Sequence, residues 1–355
     1  MLAAEVKVAA LSTVAAPPCD SSPCWRGIVE PVEPFLRSVA ACLDEQVEAF
    51  EPEIATYVRY ALGSQGKQLR PALVALSAAT TGGITPDLVT AAAIVEMVHL
   101  ATLVHDDITD EARVRRRRPT LAAHWGNACS VLVGDCLFAH ALTLAASFPT
   151  PEVCQAVAQA TKIVCSGEIR QTQHRGDLDL DRTEYFQIVR MKTAELFALS
   201  CGLGARLAGA SPRERQALRE YGLELGAAYQ VYDDCLDLFG SETQAGKSLG
   251  TDLAGGKLTL PVIVALERAT SSDRAALQAL VQDWEPRRLE RLLAMLERYD
   301  ALSESQQAVG EACQAARDAL AVLPTGQGRT GLVAATVFLT HQTQGLGATH
   351  WSNAD

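Results

Sequence analysis

Residues 96–110 read EMVHLATLVHDDITD. Up to Val104 this is a helical run of apolar residues. It then ends in three carboxylates, Asp106, Asp107 and Asp110. On a helix, Asp106 and Asp110 stand one above the other, with Asp107 rotated by about 100°. Three negative charges in the last turn oppose the negative end of the helix dipole. Taken alone, such a cluster is ordinary solvated surface. A hard divalent cation bound there would reverse that reading, so the flanking sequence decides.

Downstream the chain turns basic, with Arg113, Arg115, Arg116, Arg117 and Arg118 closed by Pro119. Upstream, residues 63–76 read GSQGKQLRPALVAL, a glycine-punctuated loop bearing Lys67 and Arg70 that runs into a helix. Gly66 permits close backbone approach and Pro71 suits a first helical turn. A basic loop at a helix start is a ready anion site. A second DDxxD follows in AYQVYDDCLDLFG, residues 228–240, with Asp233, Asp234 and Asp237 again closing a helical run. After it comes SETQAGKSLGTDLAGGK, residues 241–257, carrying Lys247, Asp252 and Lys257.

The periodicity is helical throughout. Helical spacing covers 35–62 with a break near Pro52, then a helix leads from Pro86 into the opening stretch. Further helices are expected over 121–125, 128–147, 152–173, 184–207 and 213–237, with a turn at 177–181. Shorter helices continue to about Thr343. Neither βαβ alternation nor a strand pair is expected. The fold class is all-α: a single-domain bundle of ten or more helices around a central cavity, over residues 31–345. Residues 1–30 are expected to form a disordered or loosely attached leader, and 346–355 a frayed tail.

Composition narrows the function. Of 355 residues, 48% are hydrophobic and 5% aromatic, which favours helices over sheets. A formal net charge of -11 argues against a nucleic-acid-binding surface. The ten cysteines lack a CxxC pair. Cys129, Cys136, Cys154, Cys165, Cys201 and Cys235 lie in apolar helical contexts and read as small buried hydrophobes in a reducing cytosol. No uninterrupted apolar run has the length of a membrane span, and the N-terminus lacks a clean signal region, so the expected location is the cytoplasm.

If the two acidic helix ends face one mouth of the bundle, six carboxylates converge. Magnesium suits such a site, because it takes oxygen ligands, keeps waters and bridges carboxylate to phosphate.

With these motifs in place, the chain resembles the trans-isoprenyl diphosphate synthases (polyprenyl synthetases), of the long-chain type. The resemblance is carried by GKQLRP (66–71), EMVHLATLVHDDITD, VRRRRPT (114–120), Gly134-Asp135, GEIRQ (167–171), KTAELF (192–197), YQVYDDCLD (229–237) and GKSLGTDLAGGK (246–257). It implies an isoprenoid-synthase helical fold and a magnesium-dependent condensation of isopentenyl diphosphate with an allylic diphosphate. It further implies that Asp106, Asp107, Asp110, Asp233, Asp234 and Asp237 hold the metal. Arg115, Lys192, Thr193, Gln230, Lys247 and Lys257 would meet the allylic diphosphate. Gly66, Lys67, Arg70, His99 and Arg116 would meet that of isopentenyl diphosphate. A homodimer is expected by the same precedent.

Ala101 and Thr102, about a turn before the first cluster, are small where short-chain members often carry an aromatic, which implies a long product. The segment departs from the family at Arg117, where a glycine is usual, and the C-terminal region lacks the usual basic residue. The alternatives are a short-chain synthase, a class I terpene cyclase, and a non-catalytic subunit of a heteromeric synthase. Two intact acidic clusters beside Lys67 and Arg70 argue against the last two.

Overall fold

The computed structural model describes residues 24–63, 66–116, 118–246 and 248–347. Its helices are α1 Trp25–Val29, α2 Glu33–Val47, α3 Pro52–Leu62, α4 Leu69–Thr81, α5 Pro86–Thr109, α6 Leu121–Trp125, α7 Asn127–Ala146, α8 Glu152–Gln173 and α9 Arg182–Val189. They continue as α10 Glu195–Leu207, α11 Pro212–Phe239, α12 Glu242–Ala245, α13 Thr251–Ala254, α14 Leu260–Arg268, α15 Ser271–Gln282, α16 Leu289–Arg298, α17 Ala301–Ala319 and α18 Gln327–Gln344. The all-α bundle is therefore as expected, around one continuous apolar core.

Local chemistry sets the ends of the long helices. Ser211 caps α11 by accepting from the Glu214 N–H at 3.3 Å, and Glu214 Oε2 accepts from the Ser211 N–H at 2.7 Å. This capping box satisfies donors that the first turn would leave unpaired. Pro86 opens α5, and Asp110 closes it with its N–H on the Asp106 carbonyl at 2.8 Å. α5 is apolar on nearly every side, as suits a helix inside the core. α10 and α11 form one of the closest crossings, and Gly222 and Gly226 permit it. A Cβ on either would lie 2.7 or 2.6 Å from the backbone of Ala198 or Ala194.

Several expectations need correction. A small antiparallel hairpin exists: β1 Val114–Arg115 pairs with β2 Arg118–Pro119. Two-residue strands are too short for a period-two pattern to show in sequence. The 184–207 helix is interrupted, since residues 190–194 wind as a π-helix between α9 and α10. Two helices, α5 and α7, are long and apolar enough to cross a membrane by length and composition. Averaged hydropathy tolerates the isolated polar residues that break their apolar runs. α5 is mostly buried, as a core helix is, whereas α7 is largely uncovered.

The N-terminal leader was expected to run to residue 30, but it is packed from α1 onward: Ile28 and Val29 are buried, and Trp25 meets Phe338 of α18. Residues 1–23 and 348–355 lie outside the described residues, as do Arg117 and Lys247. Cys201 and Cys235 are buried as expected. Cys129, Cys136 and Cys154 are only partly so, and Cys165 is exposed on the outer side of α8.

Candidate active site

The C-terminal end of α5 divides its carboxylates by direction. Asp107 is nearly enclosed and accepts from Arg115 Nε at 2.7 Å, so the hairpin's first strand is tied to it. Burial pushes the Asp107 carboxyl above its usual range, against the pull of Arg115. Asp106 and Asp110, one turn apart, remain 17% and 22% exposed. Burial lifts Asp106 to about 6, opposed by Lys192 and reinforced by Glu168 and Asp110. Burial works the same way on Asp110, but Lys257, Lys192 and Arg175 hold it below the usual carboxylate range.

Three loops and helices supply those cations. The π-helical turn presents Lys192, which lies 3.7 Å from Asp106, pairs with Glu168 and donates to Gln171 Oε1 at 2.8 Å. π-Turns within helices recur at functional sites. Gly167 lets α8 approach this turn: a Cβ there would sit 2.7 Å from the Lys192 nitrogen. Burial lowers the Lys192 pKa, yet Asp106 and Glu168 outweigh it and keep the amine charged. The loop after α13 brings Lys257 Nζ to 2.6 Å from Asp110, and the turn after α8 brings Arg175 to 2.6 Å from the same carboxylate.

The second cluster is built into its surroundings. Asp234 is buried, accepting from the Tyr185 hydroxyl at 2.5 Å and from Gln230 Nε2 at 2.8 Å. Burial, and then Asp252, raise its pKa well above the ordinary value. Thr193 donates to Gln230 Oε1 at 2.7 Å, so the π-turn and Asp234 are joined through one amide. Asp237 is buried too, taking the Thr251 hydroxyl at 2.8 Å and the Asp252 N–H at 3.1 Å. Asp233 is half-buried beside them. Asp107, Asp234 and Asp237 therefore each hold a protein partner. Among the described residues, no three His, Cys, Asp or Glu side chains converge on a single metal position.

A second basic group lies deeper on α4 and α5. Arg70 sits over the Phe197 ring at 5.0 Å and is electrostatically coupled to Glu96 and Arg116. His99, on the same face of α5 as Glu96, is held well below its ordinary pKa by burial and then by Arg70, Arg116 and Arg115. Arg116 packs directly on Gly66, where a Cβ would lie 2.4 Å from its guanidinium. Lys67 is exposed, and its carbonyl accepts from the Trp25 indole N–H at 3.0 Å.

Thus the structure brings Gly66, Arg70, His99 and Arg116 together, and gathers Lys192, Thr193, Gln230 and Lys257 around the acidic helix ends. Ala101 is fully buried, and Thr102 turns its hydroxyl back to the His99 carbonyl at 2.7 Å. The reading from sequence had no role for Glu168, Gln171, Arg175, Tyr185 or Glu96. Glu168, Gln171 and Glu96 lie inside the quoted motifs. Arg175 and Tyr185 reach the site only through tertiary contacts.

The bundle thus sets two aspartate-rich helix ends and their shared lysine-bearing loops beside a separate arginine cluster. The polyprenyl synthetase family matches residues 51–297. An octaprenyl diphosphate synthase of Haemophilus influenzae is 33% identical over 303 residues, 85% of this chain and 92% of that protein. A short chain isoprenyl diphosphate synthase of Methanothermobacter thermautotrophicus is 32% identical over 314 residues, 86% of this chain and 97% of that protein. The crystal structure of a polyprenyl synthase from Caulobacter crescentus, complexed with calcium and isoprenyl diphosphate, superposes with a TM-score of 0.85 at 30% identity. That match covers 91% of this chain and 99% of that one. The chain belongs to the polyprenyl synthetase family and is a prenyltransferase.

Proposed function

We propose that this enzyme condenses isopentenyl diphosphate head-to-tail with an allylic diphosphate, using magnesium, to make a long trans-polyprenyl diphosphate. The observation that carries the reading is the meeting of Lys192 and Lys257 with Asp106 and Asp110. Cations and carboxylates alternate there at the mouth of an apolar core.

The donor set suits magnesium. Carboxylates one turn apart on α5, with no preformed group of three donors among the described residues, fit an ion that fills its shell with water and substrate phosphate. Asp106 and Asp110 would hold it from α5 and Asp233 from α11. Asp107, Asp234 and Asp237 are the buried carboxylates and act as supports, holding Arg115, Tyr185 and Thr251. This narrows the six-ligand set expected from the motifs. Bound there, magnesium would neutralise the departing diphosphate.

The chain's own residues do the rest. Lys192, Lys257 and Arg115 bind the allylic diphosphate and stabilise its charge as the C–O bond breaks. Lys67, Arg70, Arg116 and the Gly66 backbone hold the other diphosphate. His99 offers it a ring N–H. This fixes the isopentenyl double bond against the allylic cation. The proton lost from the adduct goes to the departing diphosphate, and no covalent nucleophile is needed.

The small side chains of Ala101 and Thr102 support the long product. The exposed apolar positions Val131 and Leu132 on α7 and Ile169 on α8 suit a second copy of the chain, and we propose a homodimer. The cysteines of the described residues are free thiols, which suits a reducing compartment, and we place the enzyme in the cytoplasm.

The test is elongation by the purified single chain with isopentenyl and farnesyl diphosphates, with and without magnesium, products sized by mass spectrometry. Magnesium-dependent chains longer than twenty carbons are expected. No elongation by the single chain would overturn the reading in favour of a heteromeric partner subunit, and a cyclised hydrocarbon would favour a terpene cyclase.

A further inference from the structure

One side chain that no motif singles out links the hairpin bearing Arg116 to the end of α3, which leads into the loop bearing Lys67. Tyr60 lies in the last turn of α3, just before that loop. Its hydroxyl donates to the Pro119 carbonyl at 2.8 Å. Pro119 ends the hairpin, opposite Val114. Arg118, paired with Arg115 across the hairpin, lies 4.5 Å above the Tyr60 ring. The ring is boxed in turn by the edge of Trp125 at 4.8 Å, and Tyr57 meets Trp125 edge-on at 5.2 Å.

A hairpin of two-residue strands does not hold itself in place. Arg116 moreover adopts a left-handed backbone, φ 50°, which needs support from its surroundings. The hairpin meets the loop at two glycines: a Cβ on Gly66 would lie 2.4 Å from Arg116, and one on Gly63 would lie 2.9 Å from Arg118. Tyr60 holds the second strand by ring and hydroxyl together, whereas Asp107 holds the first through Arg115.

We propose that Tyr60 is a positioning residue for the isopentenyl diphosphate pocket, fixing the hairpin so that Arg116 stands against Gly66 beside Lys67 and Arg70. This rests on the reading of those residues as the isopentenyl diphosphate site. Arg115 has its own anchor in Asp107, so loss of Tyr60 affects one substrate and not the other.

The experiment compares Tyr60→Phe, which keeps the platform for Arg118, with Tyr60→Leu, which removes it. KM for isopentenyl diphosphate rises about fivefold in the first and about twentyfold in the second. KM for the allylic substrate and kcat stay within about twofold, by the independent anchoring of Arg115. Isopentenyl diphosphate affinity is also read by calorimetry, which needs no turnover. If the wild-type chain does not elongate, the functional reading fails and calorimetry still decides on Tyr60. Equal rises in both KM values, or unchanged isopentenyl diphosphate affinity in Tyr60→Phe, overturn the proposal. Tyr60→Phe keeps the ring in its box and serves even where Tyr60→Leu does not fold.

Discussion

Lys257 and Asp110 stand 147 residues apart in sequence and 2.6 Å apart in space. The loop that makes this contact also serves the second acidic cluster. The Lys257 N–H donates to the Asp252 carbonyl at 2.8 Å, and the Asp252 N–H donates to the Asp237 carboxylate at 3.1 Å. The two helix ends are thereby joined through one short segment. The cation on α5's acidic end is thus set by a backbone that the other acidic helix holds. Carboxylates placed against a helix dipole are tolerable because Lys257, Arg175 and Lys192 surround them.

Lys257 should therefore matter more to chemistry than to folding. Asp110 keeps Arg175 when Lys257 is removed. Lys257→Ala is expected to lower kcat by about a hundredfold, the usual cost of losing one preorganised charge at a leaving group. The melting temperature should shift little, and Lys257→Arg should recover part of the rate. Steady-state kinetics with saturating isopentenyl diphosphate would show this. An unchanged kcat would remove Lys257 from the allylic side.

The raised pKa of Asp106 predicts how magnesium and pH interact. Without metal, its native carboxyl ionises near 6 rather than at the ordinary 3.8. The folded state then binds more protons than the unfolded one between those values. Its contribution to stability is full below the unfolded pKa and is lost as pH rises through about 6. Magnesium needs the ionised carboxylate, so its stabilising effect grows across the same window. Thermal melts with and without magnesium should differ little at acid pH and strongly above about 7. Asp106→Asn should flatten that dependence. An equal magnesium shift at both ends of the range would mean that Asp106 is not a ligand.

The fold was legible because most of its helices are long, amphipathic or apolar, and punctuated by proline and glycine. α7 was expected over 128–147 and spans 127–146. The acidic clusters marked the site, but spacing alone could not say which carboxylates face the cleft. In the structure Asp107, Asp234 and Asp237 are buried and hold Arg115, Tyr185 and Thr251, partners that lie eight to forty-nine residues away in sequence. The π-turn was invisible because RMKTA has an ordinary helical composition. Arg175 was missed because its role exists only once the turn after α8 meets the end of α5, at Thr109 and Asp110.

Gly167 is expected to control Lys192 from outside the site. A Cβ at this position would fall 2.7 Å from the Lys192 nitrogen and 2.9 Å from Met191 Cβ. The nearest atom is backbone, so the π-turn must shift as a unit. Gly167→Ala should cost about 1–3 kcal/mol in stability, as overpacking does. It should also lower kcat by at least tenfold, because the amine leaves its place between Asp106 and Glu168. Gly202→Ala has open space around the Cβ and serves as the control. A stability loss without a rate loss would show that Lys192 tolerates the displacement.

Ala101 carries the prediction about product length. It is completely enclosed, five residues before Asp106 on α5 and next to Thr102, whose hydroxyl is turned away to the His99 carbonyl. If the growing chain passes this face, bulk at Ala101 shortens the product by steric stop. Ala101→Phe should shift products to shorter chains, with Ala101→Leu intermediate, as read by mass spectrometry of dephosphorylated products. Both variants also add volume to a packed core and should lose about 1–3 kcal/mol. The two effects separate the readings. A lowered melting temperature with an unchanged product distribution would make Ala101 ordinary core and place the channel along another face.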